Sequence, residues 1–150
     1  MEVQSRGTAR PQMSGLAFFD TNVVLYADDV SDPSKQSKAI ALLAEHLREG
    51  TAVVSLQVLQ EYFAAATRKL GMAPAQAQRK IELLAYAKVV RFEANDVIAA
   101  IEFHRLSQIS FWDALIVHAA RLAGASVLYT EDLQHNRVLS GMRIVNPFAQ

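Results

Sequence analysis

The sequence predicts an α/β fold, a three-layer α/β/α sandwich around a central, mostly parallel sheet. Three observations lead there. Short apolar segments of strand length alternate with longer segments of helical length along the chain. The strand segments are apolar on both faces, as in LAFFD at 16–20 and TAVVS at 51–55, the pattern of strands covered on both sides. Proline and glycine fall at the joints between segments, where helices start and stop.

In order, Leu16–Asp20 reads as a wholly apolar strand ending in an acid, and Thr21 as the cap of a short helix through Tyr26. The polar run Asp28–Ser34 is a loop, and Pro33 suits the first turn of a helix to about Arg48 that Gly50 ends. Thr51–Ser55 is the second strand, followed by a helix over Leu56–Leu70 that Gly71 stops. Pro74 opens a helix through about Tyr86, Lys88–Phe92 reads as a third strand, and Ala94–Ser107 as a helix. Ser110-Phe-Trp-Asp113 resembles a capping box launching a helix to about Ala123, with Gly124 as its stop. Ser126–Thr130 is the fourth strand, and Arg143–Val145 a short fifth.

At 150 residues the chain suits one domain, placed at 16–150 behind a polar, flexible leader at 1–15 in which Met13 offers an alternative start. No apolar stretch reaches the roughly 18 residues of a membrane span, and residues 1–15 hold no apolar signal core. A cytoplasmic location follows as the default expectation. Cysteine is absent, which removes disulfides, thiolate metal sites and Cys nucleophiles. Fifteen Lys and Arg balance fifteen Asp and Glu, which argues against a non-specific nucleic-acid binder. It leaves room for an enzyme that gathers acids in one pocket and spreads bases around the rim.

Sites in open parallel α/β sheets form beyond the carboxyl ends of the strands. Asp20 ends the first strand and Asp132 lies just past the fourth. Asp113 falls in the first turn of an almost wholly apolar helix, FWDALIVHAARLA, where an ionised carboxylate needs helix N–H groups or a cation to offset burial. Glu61 sits about five residues into the helix after the second strand, roughly 7–8 Å above its start. Four acids on four segments can therefore reach one pocket.

Each also has a plainer reading. Asp20 suits a helix cap, Asp113 a stabilised helix N-terminus and Asp132 an ordinary turn beside Glu131. With Leu59, Tyr62, Phe63, Ala66 and Leu70 as the buried stripe, Glu61 falls nearly opposite, beside Gln57 and Arg68, as a solvated residue. His118 lies roughly 140° around the helix from Asp113 and reads as a core or interface histidine. His135 and Arg137 are candidates for phosphate contact, with a solvated loop as the alternative. Arg68–Lys69 and Arg79–Lys80 read as helix surface, Asp28–Asp29 as loop acids, and Trp112 and Tyr62 as packing residues.

The segments FFDTNVVLYA at 18–27, SLQVLQEYFAAATRK at 55–69, SFWDALIVHAA at 110–120 and LYTEDLQ at 128–134 together resemble the four acidic motifs of PIN-domain nucleases, in order, spacing and placement. The match runs from about Leu16 to IVNPF at 144–148, and it is similar to the VapC-type toxins. The resemblance implies metal-binding acids at Asp20, Glu61, Asp113 and Asp132, a polar hydroxyl at Thr130, and Asn22 ordering the first loop. Oxygen-only ligands select hard cations, so Mg²⁺ or Mn²⁺ is expected. Asp20 and Asp113 are the expected direct ligands, with Glu61 and Asp132 binding a second ion or positioning water, and Thr130 orienting a carboxylate or water. The resemblance further implies cleavage of single-stranded or loop RNA by metal-activated water, a homodimer, and the toxin's place in a toxin–antitoxin pair with a small antitoxin protein.

Two rival readings stand beside it. A haloacid-dehalogenase-type phosphatase would use Asp20 as a covalent nucleophile, but its pattern wants a second Asp where Asn22 stands. A catalytically silent PIN-like module for binding or dimerisation is the other, and the presence of all four acids argues against it.

Overall fold

Strand β1 (Ala17–Phe19) is buried along its whole length, and every later element is arranged about it. The computed structural model describes residues 15–149, so all but the last residue of the expected leader over 1–15, and the start at Met13, lie outside the described residues. Helices α1 (Thr21–Tyr26) and α2 (Pro33–Glu49) follow, then β2 (Ala52–Ser55), α3 (Leu56–Arg68) and α4 (Pro74–Leu84). Next come β3 (Lys88–Val90), α5 (Ala94–Ser107), α6 (Phe111–Leu122), β4 (Val127–Tyr129), β5 (Val138–Leu139) and β6 (Met142–Val145).

The six strands form one sheet in the order β3-β2-β1-β4-β6-β5. All neighbours are parallel except β5 and β6. Phe18 pairs with Val53 on one side and Leu128 on the other, and these three, fully buried, centre the core with Phe19, Val54 and Ile144. From β1 the chain steps outward to β2 and β3, then returns to β4 on the opposite side. Right-handed crossovers then put α1 to α4 on one face and α5 and α6 on the other. Packing agrees, since α1 contacts α2 and α3, α3 contacts α4, and α5 contacts α6. This is the expected α/β/α sandwich. The direction of winding reverses between β1 and β4, and the crevice beyond the carboxyl ends of those two strands is where such folds place ligands.

Local chemistry sets the helix ends. Asp32 and Ser55 cap α2 and α3 by accepting from the backbone N–H of Lys35 and Val58. Gly50 closes α2 in the left-handed region at φ 74°, a conformation that costs glycine least. Ser110 caps α6 by accepting from Asp113 N–H, while the full reciprocal capping box belongs to Glu93 and Asp96 at α5. The cap of α1 is Asp20, not Thr21. That frees the Thr21 hydroxyl for another contact.

Four further expectations are corrected. Strand β3 stops at Val90, short of Phe92, and is not apolar on both faces: Lys88 is exposed on this edge strand, where a lysine blunts strand addition. Helix α4 ends at Leu84 rather than at about Tyr86, which is 89% exposed. The expected fifth strand is the second arm of a hairpin: its first residues, Met142 and Arg143, pair antiparallel with Leu139 and Val138. Its two loop residues, Ser140 and Gly141, both have positive φ, as a tight two-residue hairpin loop requires. Asp28 is more than a loop acid, since it accepts from the hydroxyl of fully buried Tyr62 at 2.7 Å and from Lys80 at 2.6 Å, tying the loop after α1 to α3 and α4.

Candidate metal centre

Asp20 leaves the carboxyl end of β1 and is only 5% exposed. Its Oδ1 accepts from Thr21 N–H at 2.7 Å and its Oδ2 from the Thr130 hydroxyl at 2.7 Å. Cap and pocket acid are thus the same carboxylate. Thr130, at the end of β4 and fully buried, accepts in turn from Asp132 N–H at 3.1 Å. One hydroxyl therefore locks Asp20 to the turn that carries Asp132. Asn22 fixes the same turn from α1, donating to Asp132 Oδ2 at 3.0 Å and accepting from Glu131 N–H at 3.3 Å. Glu131 itself points elsewhere, into an ion pair with Lys35.

Asp113 enters from the first turn of α6, half-buried because the six residues Ala114–Val117, Ala119 and Ala120 anchor that helix in the core. Asp20, Asp113 and Asp132 each offer an oxygen, and these atoms lie within 4.8 Å of one another. Such crowding sets the electrostatics. Burial, above all, pushes the Asp20 carboxyl up to about 7; the Thr130 and Thr21 hydrogen bonds oppose this, and the charges of Asp132 and Asp113 add to it. The Asp113 carboxyl is also raised, chiefly by burial, against the Ser110 hydroxyl and with help from Asp132 and Glu61.

Glu61 lies outside that trio yet lines the same cavity of about 360 Å³. It is not solvated opposite the core. The fully buried positions of α3 are Val58, Tyr62 and Ala66, whereas Phe63, a core position on the helical pattern, is 40% exposed. The buried stripe is thereby rotated toward Glu61. Its Oε1 accepts from the Thr21 hydroxyl at 2.7 Å and its Oε2 from Gln57 at 3.1 Å.

Arg68, Lys69 and Trp112 also line this cavity, although sequence alone marks them as helix surface and packing. Trp112 is 62% exposed. Neither cation makes an ion pair among the described residues. The signal available for them is the helical repeat, which puts Arg68 seven residues, nearly two turns, from Glu61. His135 and Arg137 do not line the cavity; His135 Nδ1 instead accepts from Asn146 N–H at 2.9 Å. His118 bonds Asp96 at 3.0 Å and meets the Phe92 ring edge-on at 5.3 Å, while Ile116, Val117, Ala119 and Ala120 beside it are buried within the chain. Leu122, one turn on, is 51% exposed.

The arrangement presents carboxylate oxygens only, with spare lone pairs on each acid of the trio. Three acids this close repel unless a cation or a proton joins them, and oxygen donors suit a hard divalent cation. The residues present fit such an ion.

The family model described as PIN domain matches residues 17–139. Among solved structures the fold resembles VapC20 of Mycobacterium tuberculosis, a sarcin-ricin loop cleaving toxin, with TM-score 0.63 and 24% identity over 77% of this chain and 89% of that one. It also resembles a toxin–antitoxin complex from Klebsiella pneumoniae, with TM-score 0.64 and 20% identity over 88% of this chain and 98% of that one. A third is VapBC2 of Rickettsia felis bound to a DNA fragment from its promoter, with TM-score 0.59 and 20% identity over 86% of this chain and 96% of that one. No curated protein matches the chain in sequence.

Proposed function

Because the chain belongs to the PIN-domain family, we propose that it is a divalent-metal-dependent endoribonuclease that cuts RNA phosphodiester bonds by activated water, acting as the toxin of a toxin–antitoxin pair. The observation that carries this reading is the convergence of Asp20, Asp113 and Asp132 to within 4.8 Å at the crevice beyond β1 and β4.

Asp20, Asp113 and Asp132 would hold Mg²⁺ or Mn²⁺. When bound, such an ion polarises a phosphate and lowers the pKa of water. The chain's own residues do the positioning. Thr130 and Thr21 N–H fix both oxygens of Asp20, and Asn22 fixes Asp132. Glu61, held by Thr21 and Gln57, would accept a proton from the attacking water or anchor a second ion. Arg68 and Lys69 supply positive charge at the rim for the flanking phosphates. Asp20 works as a ligand rather than as a phosphatase nucleophile, since Asn22 stands where that chemistry needs a second Asp and is committed to the opposite loop.

An antitoxin protein is the expected partner, on the pattern of the toxin–antitoxin complexes that share this fold. A homodimer is also expected, with exposed Ile98, Ile101 and Leu122 on α5 and α6 as apolar surface for a second copy. No helix among the described residues is long and apolar enough to cross a membrane. Cleavage of mixed single-stranded RNA in Mn²⁺, stopped by EDTA, tests the function. No cleavage in Mn²⁺, or cleavage indifferent to EDTA, contradicts it.

A further inference from the structure

A second cavity, of about 270 Å³, shares two walls with the acidic cleft, namely Gln57 and Trp112. Its character is the opposite of the cleft's. Among the described residues none that lines it is charged, and beyond the shared walls it presents Leu56, Phe92 and Leu115 together with the Gln60 amide.

Trp112 stands on the ridge between the two. Its indole is 62% exposed and is braced edge-on by Phe111 at 5.2 Å and 62°. It directly precedes Asp113, so α6 presents one acid of the trio and a bare aromatic face side by side. An anion-handling cleft that opens over an indole into an uncharged cavity suits a ligand that is phosphate at one end and a flat π-system at the other. A nucleotide within single-stranded nucleic acid has that form, and its bases stack on exposed aromatic side chains.

We propose that Trp112 and the cavity beyond it form a nucleobase subsite. RNA seated with a phosphate at the acids lays an adjoining base on the indole, with the Gln60 amide, both donor and acceptor, at the edge of that base. Gln57 is not free for this role, because its amide is committed to Glu61. The subsite rests on the ribonuclease reading of the acidic cleft and adds how the strand is gripped beside the cut bond.

Trp112 is the chain's only tryptophan, so its fluorescence reports the subsite directly. The full-length protein is mixed in Mn²⁺ with short single-stranded RNA of mixed sequence, and with an abasic ribose-phosphate oligomer of equal length, and the emission is read before turnover. RNA should quench the emission and the abasic oligomer should not. Trp112→Ala should bind RNA roughly tenfold more weakly and the abasic oligomer unchanged. No quenching by RNA, equal quenching by both oligomers, or wild-type affinity of Trp112→Ala for RNA each overturns the subsite; the first would leave the indole to a protein partner. Quenching without cleavage in Mn²⁺ removes the ribonuclease reading and keeps the subsite, whereas cleavage without quenching does the reverse.

Discussion

The Thr21 hydroxyl donates to Glu61 Oε1 at 2.7 Å, joining the first turn of α1 to the middle of α3 across the mouth of the acidic cavity. The residue after the most buried acid thus orients the acid farthest from the trio. Thr21→Val keeps the shape and removes the donor. It should lower cleavage severalfold while costing about 1 kcal/mol of stability, the value of a partly exposed hydrogen bond. Thr21→Ser should restore activity. Unchanged turnover in Thr21→Val with an unchanged pH profile would show that Glu61 needs no orientation.

Asp20 makes stability depend on pH with a definite sign. Its carboxyl titrates near 7 when folded, against 3.8 as its ordinary value. A raised carboxyl favours the folded state only while protonated, so stability falls as pH rises from about 4 and the penalty is complete above about 7. The penalty is on the order of 4 kcal/mol. Metal-free wild type should therefore melt lower at about pH 8 than at about pH 5.5. Asp20→Asn should lose most of that slope and exceed wild type in stability at the higher pH. Parallel melting curves for the two proteins across this range would contradict the buried, proton-retaining carboxyl.

Divalent metal should reverse the same penalty, because it binds only the assembled acids. Mn²⁺ at a hundredfold above Kd should add about 2.7 kcal/mol. Its affinity should fall about tenfold per pH unit below 7 as it competes with the Asp20 proton. The Asp20→Asn, Asp113→Asn double variant should gain little from Mn²⁺ in a melting experiment. A wild-type response would place the ion elsewhere.

Arg68 and Lys69 should contribute affinity rather than chemistry. Arg68→Ala and Lys69→Ala should each weaken RNA binding and flatten the salt dependence by about 0.7 for each phosphate no longer neutralised. His135→Ala and Arg137→Ala, outside the cavity, should change the slope less. The reverse ranking in a filter-binding salt titration would move the RNA path to the loop after β4.

Self-association has a simple readout. Sedimentation at micromolar concentration should give twice the 16.5 kDa chain mass, and Ile98→Lys with Leu122→Lys should give the monomer. A monomeric wild type would remove the dimer.

Strand ends at Asp20 and Thr130, and the helix start at Asp113, are legible in the residues because short apolar runs bounded by caps and glycines are determined by local chemistry. What stays hidden depends on rotation and on distant partners. The rotation of α3 is ambiguous in the sequence and misplaces Glu61, because Leu59 and Phe63 are as apolar as the Val58 and Ala66 that are fully buried. Thr21 reads as a cap because nothing local reveals a partner 40 residues away. Trp112 reads as core because an aromatic beside an apolar run usually packs inward. Half of the β5–β6 hairpin escapes notice, since a two-residue strand with Val138 62% exposed carries no alternation to read.

The most direct test of the metal-nuclease reading is cleavage of mixed single-stranded RNA by wild type and Asp113→Asn at saturating Mn²⁺, with folding checked by melting. Wild type should cut, EDTA should stop it, and Asp113→Asn should be folded yet slower by on the order of 10²-fold or more. Wild-type turnover by folded Asp113→Asn would contradict the role given to these acids.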